Sequence, residues 1–164
     1  RAAPGTGTSS AVTPPRRKVS ELMNPDVVCL RPEMTVADAQ KLLSERGVSG
    51  APVVDGAGQP VGVVSQSDLV RHQARKVTAG ESGRFYSDMD EYQDIAEIPI
   101  DRSQTPVRDL MTPRVFSVAR DTGAAQAASI MRERRIHRLI VTDRGRLVGV
   151  VTSLDLLMVV VENG

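Results

Sequence analysis

GVVSQSDLV at residues 62–70 and GVVTSLDLL at residues 149–157 spell one pattern twice, 87 residues apart. Each is an apolar run turning into a helix start, with glycine at its head, a hydroxyl at the turn and a carboxylate three residues later. The correspondence extends outward. VSELMNP at 19–25 falls on VRDLMTP at 107–113, now at an offset of 88, and the offset persists for 27–30 on 115–118 and for 48–55 on 136–143. One residue is lost in the following turn, GAGQP at 56–60 against RGRL at 144–147, and the register resumes at 87. Similarity kept in order over a whole unit marks an internal duplication.

Within a unit, the apolar run 27–30 after a proline predicts a short strand. Thr35 and Asp38 have the spacing of a helix entry, the hydroxyl accepting from a backbone amide and the acid sitting in the first turn. Val36, Ala39, Leu42 and Leu43 then form one apolar face, and Gly47 is the permissive residue past the helix end. Residues 51–55 and 60–65 flank a glycine-containing turn and predict a hairpin. Ser65 or Thr152 opens a second helix. The expected fold class is therefore α/β, two tandem β-α-β-β-α units.

Bulk properties narrow the function. The chain has 164 residues, 40% of them hydrophobic, and a formal charge of +1. That balance lacks the basic footprint of a phosphate-tracking nucleic-acid binder and argues against nucleic acid as a partner. The single Cys29 excludes an internal disulfide and is expected as a small core residue in a strand; two histidines make no metal-ligand cluster. The longest apolar candidate for a membrane span, 154–161, is short and contains Asp155. A soluble, cytoplasmic protein with no membrane contact is expected.

The boundaries follow from composition. Residues 1–18 are rich in Pro, Gly, Ser and Thr without an acid, and are expected to form a disordered tail. That composition also suits a transit-peptide remnant, with a processed or shortened chain the simpler reading. The first repeat is placed at 19–76, an insertion at 77–106 and the second repeat at 107–164. The insertion is acidic around 81–101 and holds Phe85, Tyr86 and Tyr92, three of the four aromatics. Its length suits a lid or a partner contact; the plainer reading is a surface excursion tacked to the core by its aromatics.

Two units ending in Gly-apolar-apolar-Ser/Thr-x-x-Asp-apolar resemble a pair of CBS domains over residues 19–161. The resemblance implies a pseudo-twofold CBS-pair module whose clefts take adenine nucleotides (AMP, ADP, ATP) or S-adenosylmethionine as regulatory ligands, commonly as a homodimer. The residues suit such a ligand. Ser65 and Thr152 at helix N-termini favour an anion, and Asp68 and Asp155 are placed to accept from the two hydroxyls of a ribose. Gly62 and Gly149 allow chain or ligand to approach closely. The same Ser-x-x-Asp is also simply a helix cap.

Carried over, the resemblance sets Ser65, Ser67 and Asp68 of one cleft opposite His137 and Arg138, a pair similar to the phosphate-binding segments of the AMP-activated protein kinase gamma subunit. Adenine would lie there against Met23 and Val28. The second cleft would join Thr152 and Asp155 to Ser49, with Met111 and Phe116 near the base. Because Ser49-Gly50 replaces His-Arg, the second cleft has fewer phosphate charges, and the Asp68 cleft ranks first. The cations Arg132, Arg134 and Arg135 are expected on a solvated helix end.

No catalytic constellation stands out, so no enzymatic activity, required cofactor or metal is expected. The expected function is regulatory sensing, in which the nucleotide alters packing or dimerisation and so signals to an effector protein. The alternatives are a structural or dimerisation module with vestigial clefts, or a regulatory fragment of a larger enzyme, channel or transporter.

Overall fold

In the computed structural model, which describes residues 16–73, 84–87 and 104–162, the duplication appears as two small sheets flanked by helices. In the first unit β1 (Gly50–Val54) pairs antiparallel with β2 (Pro60–Ser65). In the second, β3 (Ser117–Ala119) runs parallel to β4 (Arg138–Asp143), which pairs antiparallel with β5 (Arg146–Thr152). The helices are α1 (Val19–Leu22), α2 (Val36–Arg46), α3 (Gln66–Gln73), α4 (Arg84–Ser87), α5 (Ala124–Arg134) and α6 (Ser153–Glu162), with a 3-10 turn at Val107–Asp109. This is the expected α/β order, complete in the second unit and lacking the leading strand in the first.

The first strand differs between the units, and the cause is covalent. The predicted strand at 27–30 is reduced to one parallel bridge, Leu30 with Val53. Leu30 donates to Pro52 and accepts from Val54, both at 2.9 Å. In the second unit the ladder continues on both sides, Ile140 donating to Phe116 and Arg120 to Thr142. The corresponding donors in the first unit are Pro52 and Pro32, which have no N–H to give. Cys29, expected in that strand, is half-buried and leans its thiol on the Val27 carbonyl at 3.6 Å. Burial pushes this thiol up, against the opposing pull of Arg31.

The helix after each first strand forms for local reasons. The Thr35 hydroxyl accepts from the Asp38 amide at 3.2 Å, and Val36, Ala39 and Leu43 are buried on one face. Gly47 ends α2 in the left-handed region at φ 62°. Its counterpart Arg135 ends α5 at φ 55°, a conformation that a Cβ disfavours. Arg132 and Arg134 are exposed in the last turn of α5, where cations complement the dipole.

The two units exchange their leading segments. Lys18 bridges Gly123, and Pro106 bridges Thr35, so the chain enters each unit along the helix start of the other. Val19 donates to Thr122 and Val107 to Met34, both at 2.8 Å. Val19 is thereby buried in the core of the second unit, among Leu139, Ile140 and Val151. Val107 is buried in that of the first, with Leu30, Leu43 and Leu69. Removing such an aliphatic side chain from water is worth about 1.5–3 kcal/mol, so each exchanged segment fastens the pair together. Arg17 is also tied down, its carbonyl accepting from Ala124 and its guanidinium pairing with Glu162. The rest of the expected tail, residues 1–15, lies outside the described residues, as does most of the insertion, Tyr92 included.

The glycines of the repeated motif serve this exchange. A Cβ on Gly62 would stand 2.7 Å from the Thr112 carbonyl oxygen and 2.8 Å from the Met111 sulfur. A Cβ on Gly149 would stand 2.6 Å from the Met23 sulfur and 2.9 Å from the Asn24 carbonyl oxygen. Here the chain approaches, bridged as Val63 with Thr112 and Asn24 with Val150.

Candidate functional site

Both copies of the Ser/Thr-x-x-Asp signature form reciprocal helix caps. Ser65 Oγ accepts from the Asp68 amide at 3.3 Å while Asp68 Oδ2 accepts from the Ser65 amide at 2.9 Å. Thr152 and Asp155 repeat this at 3.2 and 2.9 Å. The next amides are also taken, Gln66 donating to Ser49 and Ser153 to His137, each at 2.8 Å. This corrects the expectation of an anion seated on unpaired amides: three amides at each helix start already have partners. Each carboxylate keeps Oδ1 beyond its cap.

Around Asp155 lies an open cleft of about 410 Å³. Its walls come from the segment holding Asn24, Asp26 and Val28 as it crosses between units, Ser49 and Gly50 where β1 starts, Phe85 of α4, and Thr152 with Asp155 at the start of α6. Arg138, buried at the start of β4, closes one side. The guanidinium expected to serve the other cleft thus gives this one the cation it seemed to lack. Asn24 and Asp26 were not singled out from sequence, although the proline between them signals the crossing segment.

The equivalent cleft of the first unit contains protein. Helix α4 of the insertion packs against both β2, which ends at Ser65, and β4, which begins at Arg138. Phe85 and Tyr86 are 5% and 2% exposed. Phe85 fills the space left by the missing side chain of Gly50, touching the point where a Cβ would stand at 3.0 Å, with the Arg138 guanidinium over its ring at 5.1 Å. Tyr86 meets Phe85 and Phe116 edge to face at 5.0 and 4.9 Å. Its hydroxyl accepts from the Phe116 amide at 3.0 Å and donates to the Arg114 carbonyl at 3.2 Å, and its carbonyl accepts from the His137 amide. Burial pushes the phenol up to about 12, with the Phe116 amide and the Arg114 charge acting against it.

The expected site residues therefore regroup. Val28, Ser49, Arg138, Thr152 and Asp155 come together at the open cleft. Val28 was expected opposite Asp68, and Phe116 opposite Asp155; the structure exchanges them, because the segment after each Met-x-Pro crosses from one unit to the other. Met23 and Met111 pack on Gly149 and Gly62 at these crossings. Ser65 is buried in its cap, and Ser67 and Asp68 follow it on α3. His137 is half-buried, its backbone held between Ser153 and Tyr86. Among the described residues no group of His, Cys, Asp and Glu suits a metal ion, and no helix is long and apolar enough to cross a membrane.

Comparison with known proteins agrees with this architecture. The CBS domain family model matches residues 19–75 and 107–162. The chloroplastic CBS domain-containing protein CBSX2 of Arabidopsis thaliana is 30% identical over 141 residues, covering 82% of this chain and 59% of that protein. Uncharacterized protein MJ1404 of Methanocaldococcus jannaschii is 29% identical over 88% of this chain, which spans only 32% of its length. Inosine-5'-monophosphate dehydrogenase of the same organism is 27% identical, with 23% of its length spanned. Among solved structures, CBSX2 in complex with AMP superposes with a TM-score of 0.63 at 28% identity, covering 89% of this chain and 97% of that one. The cytosolic domain of the Mg2+ channel MgtE in complex with ATP gives 0.62 at 29% identity, covering 87% and 48%. The duplicated signature, the exchanged segments and these likenesses lead to one conclusion: the chain belongs to the CBS-domain proteins, as a tandem CBS pair.

Proposed function

We propose that this CBS pair is a regulatory module that binds an adenine nucleotide in the Asp155 cleft. The observation carrying this reading is the convergence there of a capped aspartate with one carboxylate oxygen to spare, the buried Arg138, and the crossing segment at Asp26 and Val28. Asp155 would accept from the ribose hydroxyls, Arg138 would meet phosphate with charge-assisted bonds, and the base would lie against Val28. The AMP and ATP complexes of two similar proteins support the class of ligand. Because the cleft walls belong to both units, a ligand there has different affinity for different packings of the pair, which regulation requires. The module acts on a partner rather than performing chemistry, and its place in the cytoplasm belongs to the same reading.

Isothermal titration with AMP, ADP, ATP and S-adenosylmethionine tests the reading. One site per chain for at least one adenine nucleotide is expected; no binding by any of them at millimolar concentration would overturn it.

A second reading, a dimerisation scaffold, is favoured by α6. Its Leu157, Met158, Val160 and Val161 are 54, 51, 67 and 72% exposed, an apolar surface suited to a second copy. Light scattering of Val160→Glu/Val161→Glu beside the unaltered chain separates the two. Loss of dimer with nucleotide binding intact is expected from a sensor that also dimerises, whereas a dimer that binds no nucleotide would favour the scaffold.

A further inference from the structure

The two clefts are built from corresponding parts, and the insertion contributes differently to them: Phe85 stands in the wall of the open one, and Tyr86 is bonded across the other. At the open cleft, Asp26 and Val28 line the wall, the one with a backbone carbonyl that can accept and the other with an amide that can donate. Residue by residue, at the offset of 88, this pair corresponds to the Arg114 carbonyl and the Phe116 amide. Those two groups are satisfied together by one atom, the Tyr86 hydroxyl, which donates to the first and accepts from the second. A ring edge carrying a donor beside an acceptor, as the amino-pyrimidine edge of adenine does, makes the same two bonds. Tyr86 also stacks edge to face with Phe116, the residue corresponding to Val28. Phe85 beside it occupies the room left by Gly50, where the second unit has the side chain of Arg138, and faces the open cleft.

We infer that Tyr86 is an intramolecular occupant of the Asp68 cleft, holding it closed against planar amino-heterocycles such as adenine, so that a nucleotide enters this second site only by displacing Tyr86. The inference rests on the nucleotide reading of the Asp155 cleft and adds to it a gate on the other half. When a site is competent in only a fraction of molecules, its apparent affinity falls by that fraction. Removing the occupant therefore strengthens binding there without adding a contact.

Titration of AMP into the full chain and into Tyr86→Ala tests this. One AMP per chain is expected for the unaltered protein and two for Tyr86→Ala, the added site persisting in Tyr86→Ala/Asp155→Ala and strengthened at least about tenfold over Asp155→Ala alone, as a cleft open in about one molecule in ten requires. One AMP bound to both proteins, or two already bound to the unaltered one, overturns the gate and leaves the nucleotide reading standing. No AMP bound to either overturns both. Amide hydrogen exchange reads the contact without ligand: Phe116 is expected to exchange more slowly than Val28, and Tyr86→Ala to speed Phe116 alone. Equal rates at Phe116 and Val28 in the unaltered chain also overturn the gate, and circular dichroism confirms that the variant is folded.

Discussion

The Asp68 and Asp155 clefts share their caps to within 0.1 Å, yet the Asp155 cleft is open, with Phe85 in its wall, and the other holds the Tyr86 side chain. The motif they share is thus chiefly structural: it starts a helix and admits the partner unit's chain. What distinguishes the clefts lies outside the motif. Gly50 leaves a void where Arg138 fills space; the insertion that follows α3 supplies Phe85 to that void and Tyr86 to the carbonyl of Arg114 and the amide of Phe116. Duplication provided two equivalent frames, and unrepeated residues decided which of them a ligand can enter.

The strongest way to break this comparison is at its symmetric part. Gly62→Ala and Gly149→Ala each force a methyl against a backbone oxygen and a methionine sulfur of the crossing segment. Both are expected to lose about 2–3 kcal/mol in urea unfolding, the upper range for overpacking. A large loss in one and none in the other would show that the two crossings are not equivalent.

The asymmetric part is sharpened by the aspartates. Asp155→Ala is expected to weaken AMP at least about 30-fold, since hydrogen bonds to a charged group are worth about 1.5–3 kcal/mol each. Asp68→Ala is expected to leave the affinity within about twofold. Each loses half of a reciprocal cap, so their unfolding free energies should fall equally, by about 1 kcal/mol. Unequal stability with equal affinity would reverse the assignment of roles.

Smaller effects follow at the ends of α5 and α4. Arg135→Gly is expected to gain about 1 kcal/mol by relieving the left-handed backbone that Gly47 adopts freely, measured by thermal unfolding; no gain would mean that the side chain compensates. Tyr86, raised to about 12 from the ordinary 10, holds its proton more tightly in the folded chain. Its contribution to stability is therefore complete below about pH 10 and is lost as the pH rises through about 12. In Tyr92→Phe, which keeps a single tyrosine, tyrosinate absorbance should rise near 12; a midpoint at the ordinary value would place the phenol in water.

Much of this architecture was legible because duplication makes each element visible twice: the caps at Thr35, Ser65 and Thr152, the left-handed end at Gly47 and the hairpin all stand where their residues put them. The strand at 27–30 was overread because its ladder depends on donors that Pro32 and Pro52 lack, an omission apparent only once the pairing partners are known. Val28 and Phe116 were assigned to each other's clefts because an offset between repeats says which positions correspond but not which unit a crossing segment lies against. Phe85 and Tyr86 were noted as aromatics tacking an insertion to the core. Having no counterpart in the other repeat, they gave no sign that Tyr86 fills a cleft and that Phe85 stands in the wall of its neighbour.

The central claim, that the cleft at Asp155 receives the nucleotide while that at Asp68 is already occupied, is tested most directly by mapping amide NMR shifts as AMP is added to the unaltered chain. The account expects the moving amides to lie at Asn24, Val28, Ser49 and 152–155, with Phe116, His137 and 65–68 nearly still. Shifts centred on Phe116 and Asp68, with Val28 and Asp155 unmoved, would contradict it.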